Sequence, residues 1–309
     1  MRQKTKAGRI IVIVLAIVSS IALMTCFVFL VKADYMPAAL SARDHVEKTT
    51  RHNFQIPKID APGTRVLESD GLTIDYSNTD QAYILVTNGT DKDVVVEMYH
   101  AETDEQYKYY FRPDGTPRIL PLQMQGGWTM SVFKQKEEAL FDEVGIIDVD
   151  ADFVDPLLPY QMPSLVCPYN EGSSFVEEAE MLSDEAVSDE DFIGKVFGYI
   201  GARGFVHEGD FAEINNTPAL YADFFDLDNV VNTKTGLCGD FASLAAAMIR
   251  SRGVPVEIAW GYTDAGRYHA WVSVESEGVW TKYDPTSIAV YDESPDQSEI
   301  DKWTETRRY

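Results

Sequence analysis

The feature that most constrains the fold of this chain is the order of elements in residues 235–287: a helix with a sharp end, then strands. From Phe241 to Met248, apolar residues recur at helical spacing, which predicts a helix over 238–252 with one buried face. The Gly-Val-Pro sequence at 253–255 ends this helix, because Gly tolerates a left-handed terminus and Pro prevents the helix from resuming. A helix followed at once by strands of a hairpin indicates an α+β domain.

Cys238 lies at the first position of the predicted helix, between Gly236 and Gly239. The unpaired N–H groups and the partial positive charge of a helix N-terminus stabilise an anion, so this position favours thiolate over thiol. The same N–H groups can stabilise an oxyanion on a substrate carbonyl. A structural interpretation competes with the catalytic one, since an unpaired cysteine is commonly a small buried side chain.

Two predicted strands, 269–275 and 279–284, form a hairpin that carries a histidine and an aspartate. Side chains alternate along a strand, and directly opposed residues of a hairpin project to the same face. A loop with an even number of residues therefore places His269 and Asp284 on one face. A three-residue loop places them on opposite faces unless a bulge at Gly278 restores the phase.

Taken in order, five short motifs in this segment resemble the core of the transglutaminase-like superfamily. They are Gly236-Leu-Cys-Gly-Asp-Phe-Ala242, Met248-Ile-Arg-Ser-Arg-Gly-Val-Pro255, Gly261-Tyr262, His269-Ala-Trp-Val272 and Trp280-Thr-Lys-Tyr-Asp-Pro-Thr286. The resemblance is specific over 235–287 and looser over 170–290. It implies a papain-like α+β core in which Cys238 is the nucleophile, His269 the general base and acid, and Asp284 the residue that orients the imidazole.

An uncharged apolar run of 22 residues, 10–31, predicts a transmembrane helix at 10–32. As a helix it spans about 33 Å, which matches a hydrocarbon core of roughly 30 Å. The basic residues of the tail at 1–9 favour a cytoplasmic N-terminus, a single pass and a body outside the cell membrane. Two alternatives fit less well: a cleaved signal peptide has a shorter apolar run, and a lipoprotein signal at Cys26 does not explain the apolar residues after it.

The rest of the chain divides by composition into four segments. Residues 33–60 have scattered charges and predict a juxtamembrane stalk, and residues 151–170, which contain four prolines, predict a linker. Residues 61–150 are rich in β-branched and aromatic runs and predict a small antiparallel β-sandwich-like domain. The transglutaminase-like domain is then expected at 171–309. A β-rich segment followed by this core also resembles, more weakly, the arrangement in exported proteins of Gram-positive bacteria.

Two Asn-Gly or Asp-Gly pairs, Asn88-Gly89 and Asp114-Gly115, fall between predicted strands of the β-rich segment. Such pairs tolerate the positive φ angles of hairpin turns, so they predict hairpins there. No chemistry is visible in this segment, and a spacer or a binding module is the expected role.

The charge balance and the three cysteines exclude several classes of function. Apart from four basic residues in the first nine, the chain carries 22 basic and 50 acidic residues, so its phosphate-repelling surface argues against a nucleic acid partner. Three cysteines without close spacing form neither a disulfide framework nor a zinc site, although a bridge between Cys167 and Cys238 is possible in an oxidising compartment. The chain has no calcium-loop motif, and we expect no metal and no cofactor.

The sequence therefore predicts thiol-dependent acyl transfer or amide hydrolysis on protein or peptide substrates at the cell surface. The same triad serves transamidation and hydrolysis, and the sequence does not separate them. A non-catalytic adhesion or assembly module on the same fold is the alternative. A thiol redox protein is disfavoured, because the chain has no Cys-x-x-Cys motif.

Overall fold

The computed structural model describes residues 54–137, 140–208 and 225–309. The predicted cytoplasmic tail, the transmembrane helix at 10–32 and most of the stalk lie outside the described residues. Within these three ranges, no helix has the length and the apolar composition needed to cross a membrane.

The first half of the described chain forms two four-stranded antiparallel sheets around a shared apolar core. One sheet has the order β1-β2-β3-β6 and the other the order β5-β4-β7-β8. The strands are β1 (Val66–Ser69), β2 (Leu72–Asp75), β3 (Tyr83–Asn88), β4 (Val94–His100), β5 (Gln106–Phe111), β6 (Pro117–Pro121), β7 (Gly126–Glu137) and β8 (Leu140–Ala151). Alternating burial along β4 and β5 shows why this sequence makes a sandwich, since every second side chain faces the core.

The two Gly-containing pairs do not form the hairpins that the sequence predicts. Asn88-Gly89 and Asp114-Gly115 each connect a strand of one sheet to a strand of the other. The Asn88 amide donates hydrogen bonds of 2.9 Å to the carbonyl oxygens of Lys92 and Phe111, so it ties the two sheets together instead of tightening a turn. Local turn chemistry identified the chain reversals correctly but not the strands that they join.

The proline-rich segment between the sandwich and the α+β part is buried for much of its length. The side chain of Gln161 donates to the carbonyl of Gly253 at 2.9 Å, and the Tyr169 hydroxyl donates to the carbonyl of Gln161 at 2.7 Å. The buried guanidinium of Arg250 donates to the carbonyls of Met162 and Val256. The segment is therefore a packed connection: Arg250 of the helix that carries Cys238 donates to one of its backbone oxygens, and the Gln161 side chain donates to the chain after that helix.

The second half combines six helices with a four-stranded antiparallel sheet of order β13-β12-β11-β14 in the described residues, and the short parallel pair of β9 and β10. The helices are α1 (Ser174–Glu185), α2 (Asp189–Gly201), α3 (Leu227–Thr233), α4 (Cys238–Arg250), α5 (Pro285–Tyr291) and α6 (Gln297–Ile300). The strands are β9 (Val206–His207), β10 (Thr235–Gly236), β11 (Val256–Tyr262), β12 (Tyr268–Ser276), β13 (Val279–Tyr283) and β14 (Thr304–Arg308). This is α+β content, as expected for the core.

Helix α4 is the centre of this half and is buried on all sides. It packs against β11, β12 and α5, and its run of alanines lets these elements approach closely. At its end Gly253 has a φ of +77°, and a Cβ there would lie 2.4 Å from the Phe54 ring, so both the left-handed conformation and the close contact require glycine. The C-terminal end of the helix that carries Cys238 is thus fixed.

Candidate active site

The start of α4 places Cys238 as the first helical residue, separated from β10 only by Leu237. The Asp240 carboxylate accepts a hydrogen bond of 2.8 Å from the Leu237 N–H, which is half of a capping box. A Cβ on Gly239 would lie 2.6 Å from the Trp260 ring, so glycine lets the helix start sit directly against that indole. Cys238 is 4% exposed at the position where the helix presents its unpaired N–H groups.

The register of the β12–β13 hairpin decides whether the histidine and the aspartate share a face. Ser276 pairs with Val279, so the loop has the two residues Glu277 and Gly278, with φ angles of +52° and +82°. An even loop places His269 and Asp284 on one face, on a diagonal across the strands. His269 Nε2 lies 2.9 Å from Asp284 Oδ1.

Asp284 is held by the start of α5, whose N-terminal cap it forms. Its carboxylate accepts hydrogen bonds from the Thr286 N–H at 3.0 Å and from the Ser287 hydroxyl at 2.7 Å. Burial raises the pKa of Asp284, but the hydrogen bond and charge of His269 and the bonds from Ser287 outweigh it, so the pKa is lowered overall. The aspartate is therefore ionised and fixed in orientation, as an imidazole partner must be.

The imidazole of His269 lies between the carboxylate and the thiol. Its side chain is 17% exposed, and the Trp303 ring packs edge-on against it with centroids 5.3 Å apart. Burial lowers the pKa of His269, but its hydrogen bonds to Asp284 and Cys238 and their charges raise it to about 9. Because Nε2 contacts Asp284, Nδ1 is the ring nitrogen left for the sulfur.

The thiol of Cys238 is acidified by two imidazoles. Burial raises its pKa, but hydrogen bonds with His207 and His269, together with the charge of His269, lower it to about 7. A thiol with its pKa near 7 beside a histidine with its pKa near 9 is about half thiolate at neutral pH and forms a thiolate–imidazolium pair between these two pKa values. This is the form of a cysteine that attacks carbonyl carbon.

His207 is the part of this arrangement that the sequence reading missed, because residues 203–234 read as an irregular loop. It lies on β9, which pairs in parallel with β10 so that His207 is the partner of Gly236. Hydrogen bonds from Val206 N–H to Lys234 O at 2.9 Å and from Glu208 N–H to Gly236 O at 3.1 Å hold the strand on both sides of the histidine. A lone histidine in a two-residue strand gives no periodic signal, and its closeness to Cys238 follows from the fold alone.

Cys167 does not take part in the site. Cys167 and Cys238 are both free cysteines, so the disulfide between them that the sequence left open is not formed. Cys167 is fully buried against the middle of α4, with its sulfur 3.8 Å from the Ser243 carbonyl oxygen. Burial raises its pKa to about 11, despite the nearby charge of Arg250. An uncharged thiol in such surroundings is inert.

Aromatic side chains border the start of α4 on one side. Tyr268 packs against Trp260 with centroids 6.0 Å apart and against Tyr262 with centroids 5.3 Å apart, and Tyr262 is exposed. Trp271, by contrast, is fully buried beneath Trp303 and is part of the core. In the described parts of the chain, no group of three or more His, Cys, Asp or Glu side chains could hold a metal ion.

A helix that begins at a buried cysteine, packed on an antiparallel sheet that carries a histidine–aspartate pair, defines the papain-like class of fold. Residues 210–285 match the family model of the transglutaminase-like superfamily. Over this segment, about a quarter of its length, the chain is therefore similar to the transglutaminase-like superfamily.

Two curated relatives match the chain over short stretches. The uncharacterized protein YebA of Bacillus subtilis (strain 168) is 29% identical over 115 residues, which cover 31% of this chain and 15% of YebA. A protein-glutamine gamma-glutamyltransferase of Pseudomonas aeruginosa is 34% identical over 96 residues, which cover 26% of this chain and 14% of that protein. The chain therefore spans only a small part of the length of the curated relatives that it matches.

Solved structures give a weak likeness. A transglutaminase structure is 23% identical, covers 36% of this chain and 29% of its own, and has a TM-score of 0.28. A candidate cysteine protease from Cytophaga hutchinsonii is 13% identical, covers 80% of this chain and 81% of its own, and has a TM-score of 0.36. Both scores are too low to say anything about function.

Proposed function

We propose that this chain is a cysteine enzyme that cleaves or transfers the acyl group of an amide through Cys238, His269 and Asp284. The observation that carries the proposal is the placement of His269, which contacts Asp284 through Nε2 at 2.9 Å and hydrogen-bonds the Cys238 thiol. A histidine with a purely structural role needs no acidified thiol beside it. A cysteine with a purely structural role has a pKa that burial raises, as Cys167 shows, whereas the pKa of Cys238 is lowered.

The first half-reaction is acylation of the cysteine. The Cys238 thiolate adds to the amide carbonyl carbon, and a C–S bond forms while the carbonyl electrons move to oxygen. Collapse of this intermediate breaks the C–N bond, and imidazolium His269 gives its proton to the departing amine. Asp284 keeps the ring oriented and stabilises its positive charge throughout. The products are a thioester on Cys238 and a neutral amine.

The second half-reaction decides the type of enzyme. Neutral His269 takes a proton from an acceptor that then attacks the thioester: water gives a carboxylic acid, and a primary amine gives a new amide. The gamma-glutamyltransferase match supports the amine acceptor, and the acidic surface favours a basic partner such as a lysine side chain. Hydrolysis runs through the same thioester, so both outcomes belong to the proposal.

The experiment combines a glutamine-containing protein such as casein with a labelled primary amine and follows both amine incorporation and new peptide termini. We expect one or both products from the native chain and neither from Cys238→Ala. Cys167→Ala is the matched control, because it removes a thiol that packs against the same helix without touching the site. If the native chain and Cys238→Ala give the same products, or neither gives any, the catalytic proposal fails and the adhesion or assembly module remains.

The location of this activity is a second part of the proposal. We place the body outside the cell membrane, held by the apolar run at 10–31 behind a basic N-terminus. The test is protease treatment of intact cells followed by extraction of membranes with carbonate. The proposal requires that protease removes the body and that the untreated chain stays in the membrane pellet. A protected body or a chain that is released by carbonate contradicts it.

A further inference from the structure

The sulfur of Cys238 is approached from two sides by imidazoles that each have a carboxylate nearby. His269 is paired with Asp284 at 2.9 Å. His207 hydrogen-bonds the thiol and interacts electrostatically with the carboxylate of Asp240. The mechanism above uses the first pair and leaves the second without a role.

His207 is held in place by backbone on the same ladder that leads into the nucleophile. Its partner in the parallel β9–β10 pair is Gly236, two residues before Cys238. A Cβ on Gly236 would lie 3.0 Å from the Asp240 Cβ, so glycine at this position brings the first turn of α4 against the strand pair. The backbone that carries His207 is therefore held against the first turn of α4, which carries Cys238 and Asp240.

Attack on a carbonyl creates a negative oxygen that needs hydrogen-bond donors on the side of the sulfur away from the general base. The backbone N–H of Cys238, unpaired at the helix start, is one donor. Nδ1 of His269 is occupied with the proton that goes to the leaving amine, so it does not serve the oxyanion. A second donor must come from an element next to the helix start, and His207 lies on one: its strand partner is Gly236, two residues before Cys238, and its hydrogen bond lowers the pKa of the thiol.

We propose that His207 is a catalytic residue whose ring N–H donates a hydrogen bond to the oxyanion formed when the Cys238 thiolate adds to a carbonyl carbon. This inference rests on the proposed acyl chemistry of Cys238. No proton leaves His207 in the step: the negative oxygen accepts the hydrogen bond as the C–S bond forms and releases it when the carbonyl is restored. Asp240 is a positioning residue for that imidazole.

The test compares two small reagents that react with the same thiol. Iodoacetamide alkylates a thiolate without forming an oxyanion, whereas 4-nitrophenyl acetate acetylates it through one and releases 4-nitrophenolate. Rates are measured at a pH where the thiol of each variant is fully ionised, with the corresponding Cys238→Ala background subtracted. The ratio of acetylation to alkylation then reports oxyanion stabilisation alone, whatever the natural substrate is.

We expect His207→Ala to lower the acetylation rate roughly 10²-fold, the usual effect of losing one oxyanion donor. Alkylation should change less than about threefold, and His207→Gln, which keeps an N–H donor, should recover most of the acetylation rate. Val206→Ala is the matched control, because its side chain is 54% exposed on the same short strand. Circular dichroism melting of each variant establishes that it is folded.

Two results overturn the inference. If acetylation and alkylation fall together in His207→Ala, the histidine acts on the position or reactivity of the thiolate and not on the oxyanion; if neither falls, it has no role in the site. The outcome is independent of the casein experiment above. If His207→Ala lowers the acetylation rate but not the alkylation rate, and the native chain turns over no amide, the proposed function is wrong while the donor role of His207 stands.

Discussion

Two cysteines contact the same helix, and their surroundings give them opposite chemistry. Cys238 begins α4 and Cys167 packs against its middle, and both are nearly or fully buried. Burial raises the pKa of both thiols, yet the pKa of Cys238 is about 7 and that of Cys167 about 11. The difference arises from the partners: two imidazoles act on the Cys238 sulfur, whereas the Cys167 sulfur faces a carbonyl oxygen and apolar side chains and the charge of Arg250 does not outweigh its burial.

This comparison shows why burial does not by itself make a cysteine reactive or inert. At the helix start, donors and a positive charge stabilise the thiolate more than burial destabilises it. In the middle of the helix every backbone N–H is already used by the helix, so only Arg250 stabilises the Cys167 thiolate, and its effect on the pKa is smaller than that of burial. The predictions below test this contrast.

The largest effect is expected from exchanging each cysteine for alanine. Cys238→Ala should lower turnover by at least about 10⁴-fold, because loss of the nucleophile removes the thioester route. Cys167→Ala should leave kcat within about twofold and lower the free energy of unfolding by about 1 kcal/mol, as small changes in a packed core do. Amine incorporation and urea denaturation measure the two quantities. Equal loss of activity in the two variants would contradict the claim that only Cys238 is a reactive thiol.

The second effect concerns the carboxylate behind the imidazole. Asp284→Asn should lower kcat by roughly 10³- to 10⁴-fold, since an amide neither stabilises imidazolium nor fixes its orientation as a carboxylate does. It should also raise the pKa of Cys238, because a less charged His269 stabilises the thiolate less. Asp292→Asn is the matched control at the other end of α5. An unchanged kcat in Asp284→Asn would show that His269 works without this partner.

The pH dependence of turnover follows from the thiolate–imidazolium pair. Activity should rise as Cys238 loses its proton near pH 7 and fall as His269 loses its proton near pH 9, giving a bell-shaped profile. The two limbs belong to the coupled pair as a whole. Measurement of kcat/KM from pH 5 to pH 11, about the range that both limbs need, tests this. A profile that only rises up to pH 9, as for an isolated thiol, is the contrary outcome.

Much of this site could be predicted from the sequence because its elements are local. Helical spacing, Gly253 and Pro255 marked a helix that begins at Cys238, and the structure ends it within two residues of the predicted Arg252. The face shared by His269 and Asp284 depended on loop length, which the sequence left open between two and three residues. The positive φ angles at Glu277 and Gly278 give the two-residue loop.

The parts that the sequence did not predict depend on long-range contacts. His207 reaches Cys238 through a strand pair of two residues, and Trp303 reaches His269 from a segment beyond the hairpin. Strand β14 was not anticipated, because its run of Thr, Glu and Arg lacks the apolar alternation of a half-buried strand. Its place is set by pairing with β11, which no local pattern encodes.

The smallest effect is expected at Asp240, the acid in the first turn of α4. Burial raises its pKa to about 6, so the folded state disfavours the ionised carboxylate. The stability that this group contributes therefore declines as the pH rises from about 4 to about 6. Asp240→Asn keeps an acceptor for the Leu237 N–H and removes the buried charge, so above pH 6 it should unfold at the same or higher urea concentration than the native chain.

The control for this prediction is Asp240→Ala, which loses the cap and should be less stable than the native chain by about 1 kcal/mol. Urea denaturation at about pH 4 and at about pH 8, on either side of the raised pKa, separates the two contributions. If Asp240→Asn is as unstable as Asp240→Ala at the higher pH, the buried charge stabilises the helix start and our reading of Asp240 is wrong.

Alkylation of each thiol as a function of pH tests the central claim most directly. The native chain is pulsed with iodoacetamide between pH 5 and pH 10, about the range over which the two thiols should differ, and mass spectrometry of its peptides gives a separate rate for Cys238 and Cys167. We predict that the Cys238 rate reaches half of its maximum near pH 7, while Cys167 stays unlabelled until the chain unfolds. A midpoint for Cys238 at pH 9 or above, or labelling of both thiols at the same rate, would contradict the account.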